Sequence, residues 1–133
     1  MAEVTEIELI TSFLKELEID PEASKKAPNI WLLHQQGADV YIIVVKGLMI
    51  LQSRIMALPH SNISTFYRKL LELNDNVEES LGAAFGINRN NEIILKMLRP
   101  TGNLTLNEFT YYLTSIAHVA AKQTKELKER FND

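Results

Sequence analysis

The residues with the means for chemistry are few: His34, His60 and His118, the adjacent Glu78 and Glu79, and the glycines between Gly82 and Gly86. A bound transition metal needs three or four converging donors, often two histidines one helical turn apart. No histidine here lies four residues from another or beside a carboxylate pair, so no metal centre is expected. With no cysteine, there is also no thiol nucleophile and no disulfide. Adjacent side chains on a helix diverge by roughly 100°, so Glu78 and Glu79 would not flank one bond as an acid/base pair and are expected to solvate a loop. A phosphate-cradling loop at Gly82 to Gly86 would need a following Lys-Ser or Lys-Thr and a helix start, and has neither. In an alternating strand, such glycines admit a close neighbour. No Gly-x-Ser-x-Gly elbow exists. The chain is expected not to be an enzyme and to need no cofactor, with His34 on a strand, His60 in a loop and His118 on a helix side.

Bulk composition narrows the class further. One domain over residues 1–133 is expected, and at that length folding buries roughly two-thirds of the unfolded surface. Hydrophobic residues at 46% and charged residues at 23% are ordinary globular composition. Fourteen basic against seventeen acidic side chains give a net charge of −3, a field that repels a phosphate backbone, so no nucleic-acid partner is expected. The start, Met1-Ala2-Glu3-Val4-Thr5-Glu6, lacks the basic and apolar regions of a secretory leader. The longest apolar run, Val40 to Val45, is too short for a bilayer. No membrane insertion and a cytoplasmic location are the expectations.

The elements that would position any site follow from periodicity. Thr5 and Glu8 read as a capping box, and Ile7, Ile10, Phe13 or Leu14, and Leu17 recur at helical spacing, predicting a helix from Thr5 to Glu18. Asp20-Pro21 ends it, and the polar stretch to Pro28 reads as a loop. Three strands follow, over Ile30–Gln35, Val40–Val45 and Leu48–Ala57, with connections short enough to require antiparallel hairpins. Ile63, Phe66, Tyr67, Leu70, Leu71 and Asn74 share one face of a second helix that Asn62 or Ser61 can cap. Leu81, Ala83, Phe85 and Ile87, then Ile93, Leu95 and Met97, alternate as two strands about the turn Asn88-Arg89-Asn90-Asn91. Thr105 and Glu108 form a capping box for a last helix, Leu106–Arg130, striped by Phe109, Leu113, Ile116, Ala120, Leu127 and Phe131, whose charged end offers Lys122 with Glu126, Lys125 with Glu129 and Glu126 with Arg130 at i,i+4. The order helix, three strands, helix, two strands, helix predicts an α+β domain with helices packed on an antiparallel sheet.

The first strands carry the functional signal, because both of their faces are apolar. Tyr41, Ile43 and Val45 point one way and Val40, Ile42 and Val44 the other, and Trp31 and Leu33 oppose Ile30 and Leu32 in the same manner. A sheet with helices on one face should be polar on the other, so the second apolar row needs a cover. That cover is a helix of this chain, a second subunit or a partner segment. The candidate partner-binding residues are Trp31, Leu33, Tyr41, Ile43 and Val45, although alternation alone does not say which row faces the core. The row Gly82-Ala84-Gly86 also asks for covering surface and, with the strands, predicts a homodimer.

This order of elements, with Leu70-Leu71-Glu72-Leu73-Asn74, the small-residue strand Gly82 to Ile87, the strand Ile93 to Leu98 and the helix from Leu106 to Phe131, resembles the type III secretion chaperone-like (CesT/Tir-chaperone-like) superfamily, and within it the bacterial YbjN-like branch. The resemblance implies a small acidic homodimer whose secretion-chaperone members hold extended apolar client segments, partly by strand addition, without nucleotide or catalysis. For the YbjN-like branch it implies no comparably clear activity. The function expected on these grounds is non-enzymatic protein binding, chaperone-like in character. The alternatives are a self-contained structural or regulatory subunit that spends its second apolar face on its own dimer, and a small-molecule-binding protein with a pocket between sheet and helix.

Overall fold

A computed structural model describes residues 4–131. Helix α1 (Val4–Glu16) buries Ile10, Phe13 and Leu14, the apolar stripe of its helical period. It closes without glycine: Glu18 takes the left-handed conformation (φ 61°), the Ile19 N–H donates to the Leu14 carbonyl at 2.9 Å, and the Glu18 N–H donates to that of Lys15 at 3.0 Å. Those two bonds form a Schellman motif that satisfies carbonyls the helix leaves open. Because Val4 is already helical, Thr5 lies inside the first turn and the expected capping box is not formed; the position before Val4 lies outside the described residues. Glu6 is instead buried. Its Oε2 accepts from the Gly47 N–H at 2.9 Å and the Thr101 hydroxyl at 2.7 Å, tying α1 to two loops of the sheet.

The stretch expected as a loop holds a helical turn, α2 (Pro21–Ser24), and a short strand, β1 (Lys25–Ala27). Asp20 caps the turn, accepting from the N–H groups of Glu22 at 3.0 Å and Ala23 at 3.4 Å, with Pro21 at the first helical position. The remaining strands are β2 (Ile30–Gln35), β3 (Ala38–Val45), β4 (Leu48–Ala57), β5 (Ala84–Ile87) and β6 (Glu92–Pro100). All pair antiparallel in one six-stranded sheet of order β1-β2-β3-β4-β6-β5. The chain leaves β4 through α3 (Ile63–Asp75) and the turn α4 (Val77–Ser80), lays β5 at the far edge, and returns along β6 between them.

Helix α5 (Leu106–Arg130) begins in the expected capping box: Thr105 Oγ1 accepts from the Glu108 N–H at 3.2 Å and Glu108 Oε1 from the Thr105 N–H at 2.9 Å. Its stripe of Phe109, Leu113, Ile116, Ala120 and Leu127 is buried in the same core as Ile42, Met49, Leu51, Leu95 and Met97 of the sheet. Phe13 and Phe109 rings stand 5.2 Å apart, and Phe66 meets Phe131 edge-on at 5.0 Å, which joins α1, α3 and α5 into one helical layer. The N-cap position of α3 is Asn62, whose backbone is left-handed (φ 56°) and whose side chain makes no cap bond. Leu81 and Gly82 are also left-handed, so β5 starts at Ala84 and not at Leu81. Glu78 and Glu79, expected in a loop, lie in the α4 turn, capped by Asn76.

Candidate functional site

Register decides which apolar row is free, because directly paired residues of an antiparallel ladder point to the same face. Trp31 pairs with Ile42 and Leu33 with Val40, whereas Ile30 pairs with Ile43 and Leu32 with Tyr41. The first set is core: Trp31 is 0% exposed and Leu33 2%, among the most buried side chains of the molecule. The five candidate contact residues therefore do not form one face. Trp31 and Leu33 lie under the helices, and Tyr41, Ile43 and Val45 lie on the opposite, outer face. A local signal for this exists in the turn Gln36-Gly37, whose two positive φ values (51° and 84°) close a two-residue hairpin and fix Gln35 opposite Ala38.

Across the outer face, Ile30, Ile43, Ile50 and Leu98 line up on four successive strands, and Val45 and Leu48 form the next row toward the β3–β4 turn. None of these six side chains belongs to the core or packs against it. They shield one another partly, yet Leu98 stays 48% exposed and Leu48 37%. Ile30, Ile50, Leu48 and Leu98 extend the face that sequence reasoning had confined to β2 and β3. Their signal was the same alternation in β4 and β6.

The face becomes polar away from that turn. Leu32, Tyr41, Gln52, Lys96 and Ala84 form the adjoining row. Beyond it, His34 bonds Asp39 and Arg54 bonds Glu92. An irregularity between Arg54 and Met56 brings the guanidinium to Glu92, and this hydrogen bond, with a smaller one from Asn88, holds the Glu92 carboxyl below the usual carboxylate range. Among the described residues, Lys96 has no ion-pair partner.

A second apolar feature lies between α3 and β5. The single face expected for α3 divides: Phe66, Leu70 and Leu73 are buried, while Tyr67 and Leu71 are exposed, Leu71 by 68%. Tyr67, Leu71, Phe85, Gly86 and Ile87 line a cleft of about 280 Å³ at the edge of the sheet. At its head, Asn74 Oδ1 accepts from the Phe85 N–H at 2.7 Å and Nδ2 donates to the Phe85 carbonyl at 3.2 Å. One amide side chain thus supplies both bonds that a neighbouring strand would make.

The sequence profile of the CesT_Tir_1 family matches residues 3–131, nearly the whole chain. The chain belongs to the CesT_Tir_1 family. Its fold recurs in the HopA1–SchA chaperone–effector complex (TM-score 0.68, 12% identity, 94% of this chain and 99% of the matched one). It recurs in the heterodimeric ExoU–SpcU complex of the Pseudomonas aeruginosa type III secretion system (TM-score 0.67, 12% identity, 89% and 93%) and in YbjN from E. coli (TM-score 0.62, 13% identity, 91% and 93%). No curated protein matches it in sequence. At these identities, the structural likeness is one of fold, and it is the secretion-chaperone and YbjN-like fold that the order of elements and the leucine–asparagine pattern imply.

Within this CesT_Tir_1 chain the other groups of catalytic type are dispersed. Among the described residues, no group of three or more His, Asp or Glu is placed to hold a metal ion, and no helix is long and apolar enough to cross a membrane. A cleft of about 470 Å³ between α3 and α5 is lined by Lys69, Glu72, Glu79, Gln123 and Arg130. Its Glu79 bonds Lys122 of α5 at 3.0 Å, and that contact holds the ammonium above the usual lysine range. Lys122, expected to pair along its own helix with Glu126, bridges instead to Glu79 of α4. Gly82 does admit a close neighbour, as expected of it, since a Cβ there would sit 2.6 Å from Arg99 Nη2; at Gly86 a Cβ would meet nothing within 4 Å.

Proposed function

We propose that this chain is a non-enzymatic protein-binding subunit, chaperone-like in character, which works as a homodimer and holds an apolar segment of a partner protein on the outer face of its sheet. The observation that carries the reading is the apolar row Ile30–Ile43–Ile50–Leu98 with Val45 and Leu48, which no helix of the chain covers. Contiguous apolar surface outside a core marks an interaction site more often than not. Family membership and structural neighbours that include a chaperone–effector complex support the same reading. The homodimer is supported by the separate cleft between α3 and β5, where Tyr67, Leu71 and Ile87 offer apolar side chains beside the sheet edge. The cleft adjoins the outer face at the β5 edge, where Gly86 and Ile87 also lie beside Lys96 and Leu98. Capture from native lysate, with wild type and Ile43→Glu compared by mass spectrometry, tests the reading: a partner retained by the first and lost by the second supports it, and identical eluates contradict it.

A further inference from the structure

The cleft of about 470 Å³ between α3 and α5 lies apart from both apolar surfaces. On α3, Lys69, Glu72 and Asn76 stand roughly 140–200° around the helix from Tyr67, so they face away from the cleft beside β5. The two walls run antiparallel. Phe66 meets Phe131 at one end, and Glu79, just past α3, meets Lys122 and Gln123 of α5 at the other. This direction sorts the charges along the cleft. Lys69 and Arg130 stand at the phenylalanine end, Glu72 and Glu126 follow about 4.5 and 6 Å further along their helices, and Gln123 lies about 10.5 Å from Arg130. Leu73 and Leu127, both buried, supply an apolar floor.

These groups are not spent on one another. Facing walls that carry both signs could pair across the gap, yet Lys69, Glu126 and Arg130 form no ion pair among the described residues. Glu72 is held by Arg68 of its own helix, at 3.5 Å. Gln123 is only 2% exposed, and its Nε2 reaches Glu79 Oε2 at 3.5 Å, the long limit of a hydrogen bond. Its Oε1 accepts no hydrogen bond among the described residues. That oxygen is not sealed in, because among those residues the one sealed side-chain polar atom without a partner is Trp31 Nε1. A nearly buried amide thus keeps an acceptor open to the cleft, and buried acceptors are costly to leave unmet.

We propose that this cleft binds an aliphatic zwitterion with its charges at opposite ends of a short methylene chain, as in the C-terminal lysine of a peptide or a free ω-amino acid. Its carboxylate takes Lys69 and Arg130, its methylenes lie on Leu73 and Leu127, and its ammonium takes Glu72, Glu126 and the Gln123 oxygen. Both ends are needed, because a lone anion also meets the glutamates and a lone cation also meets the basic pair. The volume is that of a small-ligand site.

NMR titration of the isotope-labelled full chain at low salt tests the proposal with four probes. These are ε-aminocaproate and Nα-acetyl-lysine, which carry both charges, and caproate and hexylamine, which carry one each. Both zwitterions should shift the Gln123 side-chain amide saturably. Each single-charge probe should bind at least about fivefold more weakly, since each end faces two charged groups and one exposed pair is worth up to that factor. Arg130→Gln should narrow the advantage of ε-aminocaproate over hexylamine, and Glu126→Gln its advantage over caproate. Ile43→Glu and Leu71→Glu, on the other two surfaces, should leave binding unchanged. Tighter binding of Nα-acetyl-lysine assigns the site to chain ends and tighter binding of ε-aminocaproate to a free small molecule, and either keeps the zwitterion. Equal binding of the single-charge probes, shifts that gather away from Gln123, or no shift with any probe overturns the proposal and leaves the protein-binding reading untouched.

Discussion

At the scale of single residues, Asn74 explains why a leucine-rich helix ends in an amide. Both hydrogen-bonding groups of Phe85 depend on it, and leaving such groups unpaired costs about 1–3 kcal/mol each when buried. Asn74→Ala should lower stability by about that amount in urea denaturation and speed hydrogen exchange at the Phe85 amide. Asn74→Asp keeps the acceptor and loses the donor, and should fall between the two. Glu92 gives a pH dependence of known sign. Its folded carboxyl titrates below its unfolded value, so the contribution of its contacts with Arg54 and Asn88 is fully present above the ordinary carboxylate range and is lost as pH falls through the folded value. A carboxyl-detected NMR titration should place Glu92 low, and Arg54→Leu should move it back up. Neither role was legible beforehand. Asn74 was visible only as the end of a pattern, and Arg54 and Glu92 are 38 residues apart and meet through β4–β6 pairing.

Elements were legible where their determinants are local. α5, with a capping box and an apolar stripe, begins and ends where periodicity places it. β1 and α2 were not, because three or four residues show no period and β1 is a strand only by virtue of pairing with β2. The grouping of Trp31 and Leu33 with Tyr41 failed for a related reason: which row is buried depends on register across the hairpin, and a one-residue slip exchanges the faces. For α3, helical spacing put Tyr67 and Leu71 with Phe66, but the helix sits at the end of the sheet and buries only part of that arc. The exposed part yields a prediction. Sedimentation equilibrium should show twice the 15.2 kDa chain mass for wild type and the single mass for Leu71→Glu. Because Leu71 is largely exposed in the single chain, that change should alter the stability of the subunit by no more than about 0.5 kcal/mol. Wild type at the single mass at micromolar concentration would remove the dimer.

For the whole molecule, the governing fact is that one sheet face is thatched by α1, α3 and α5 and the other, equally apolar along one stripe, is not. A fold that is independent of metal predicts a thermal melt unchanged by EDTA; a fall of several degrees restored by one metal would expose a site. The asymmetry itself is tested most directly by parallel thermal melts of Ile42→Glu and Ile43→Glu, neighbours on β3 that point to opposite faces. A glutamate at Ile42 is an unpaired charge in the core and costs several kcal/mol, a large share of the roughly 5–15 kcal/mol that holds a domain together. The account predicts that Ile42→Glu gives no cooperative transition, whereas Ile43→Glu melts cooperatively within a few degrees of wild type; unfolding of both variants would contradict an uncovered outer face.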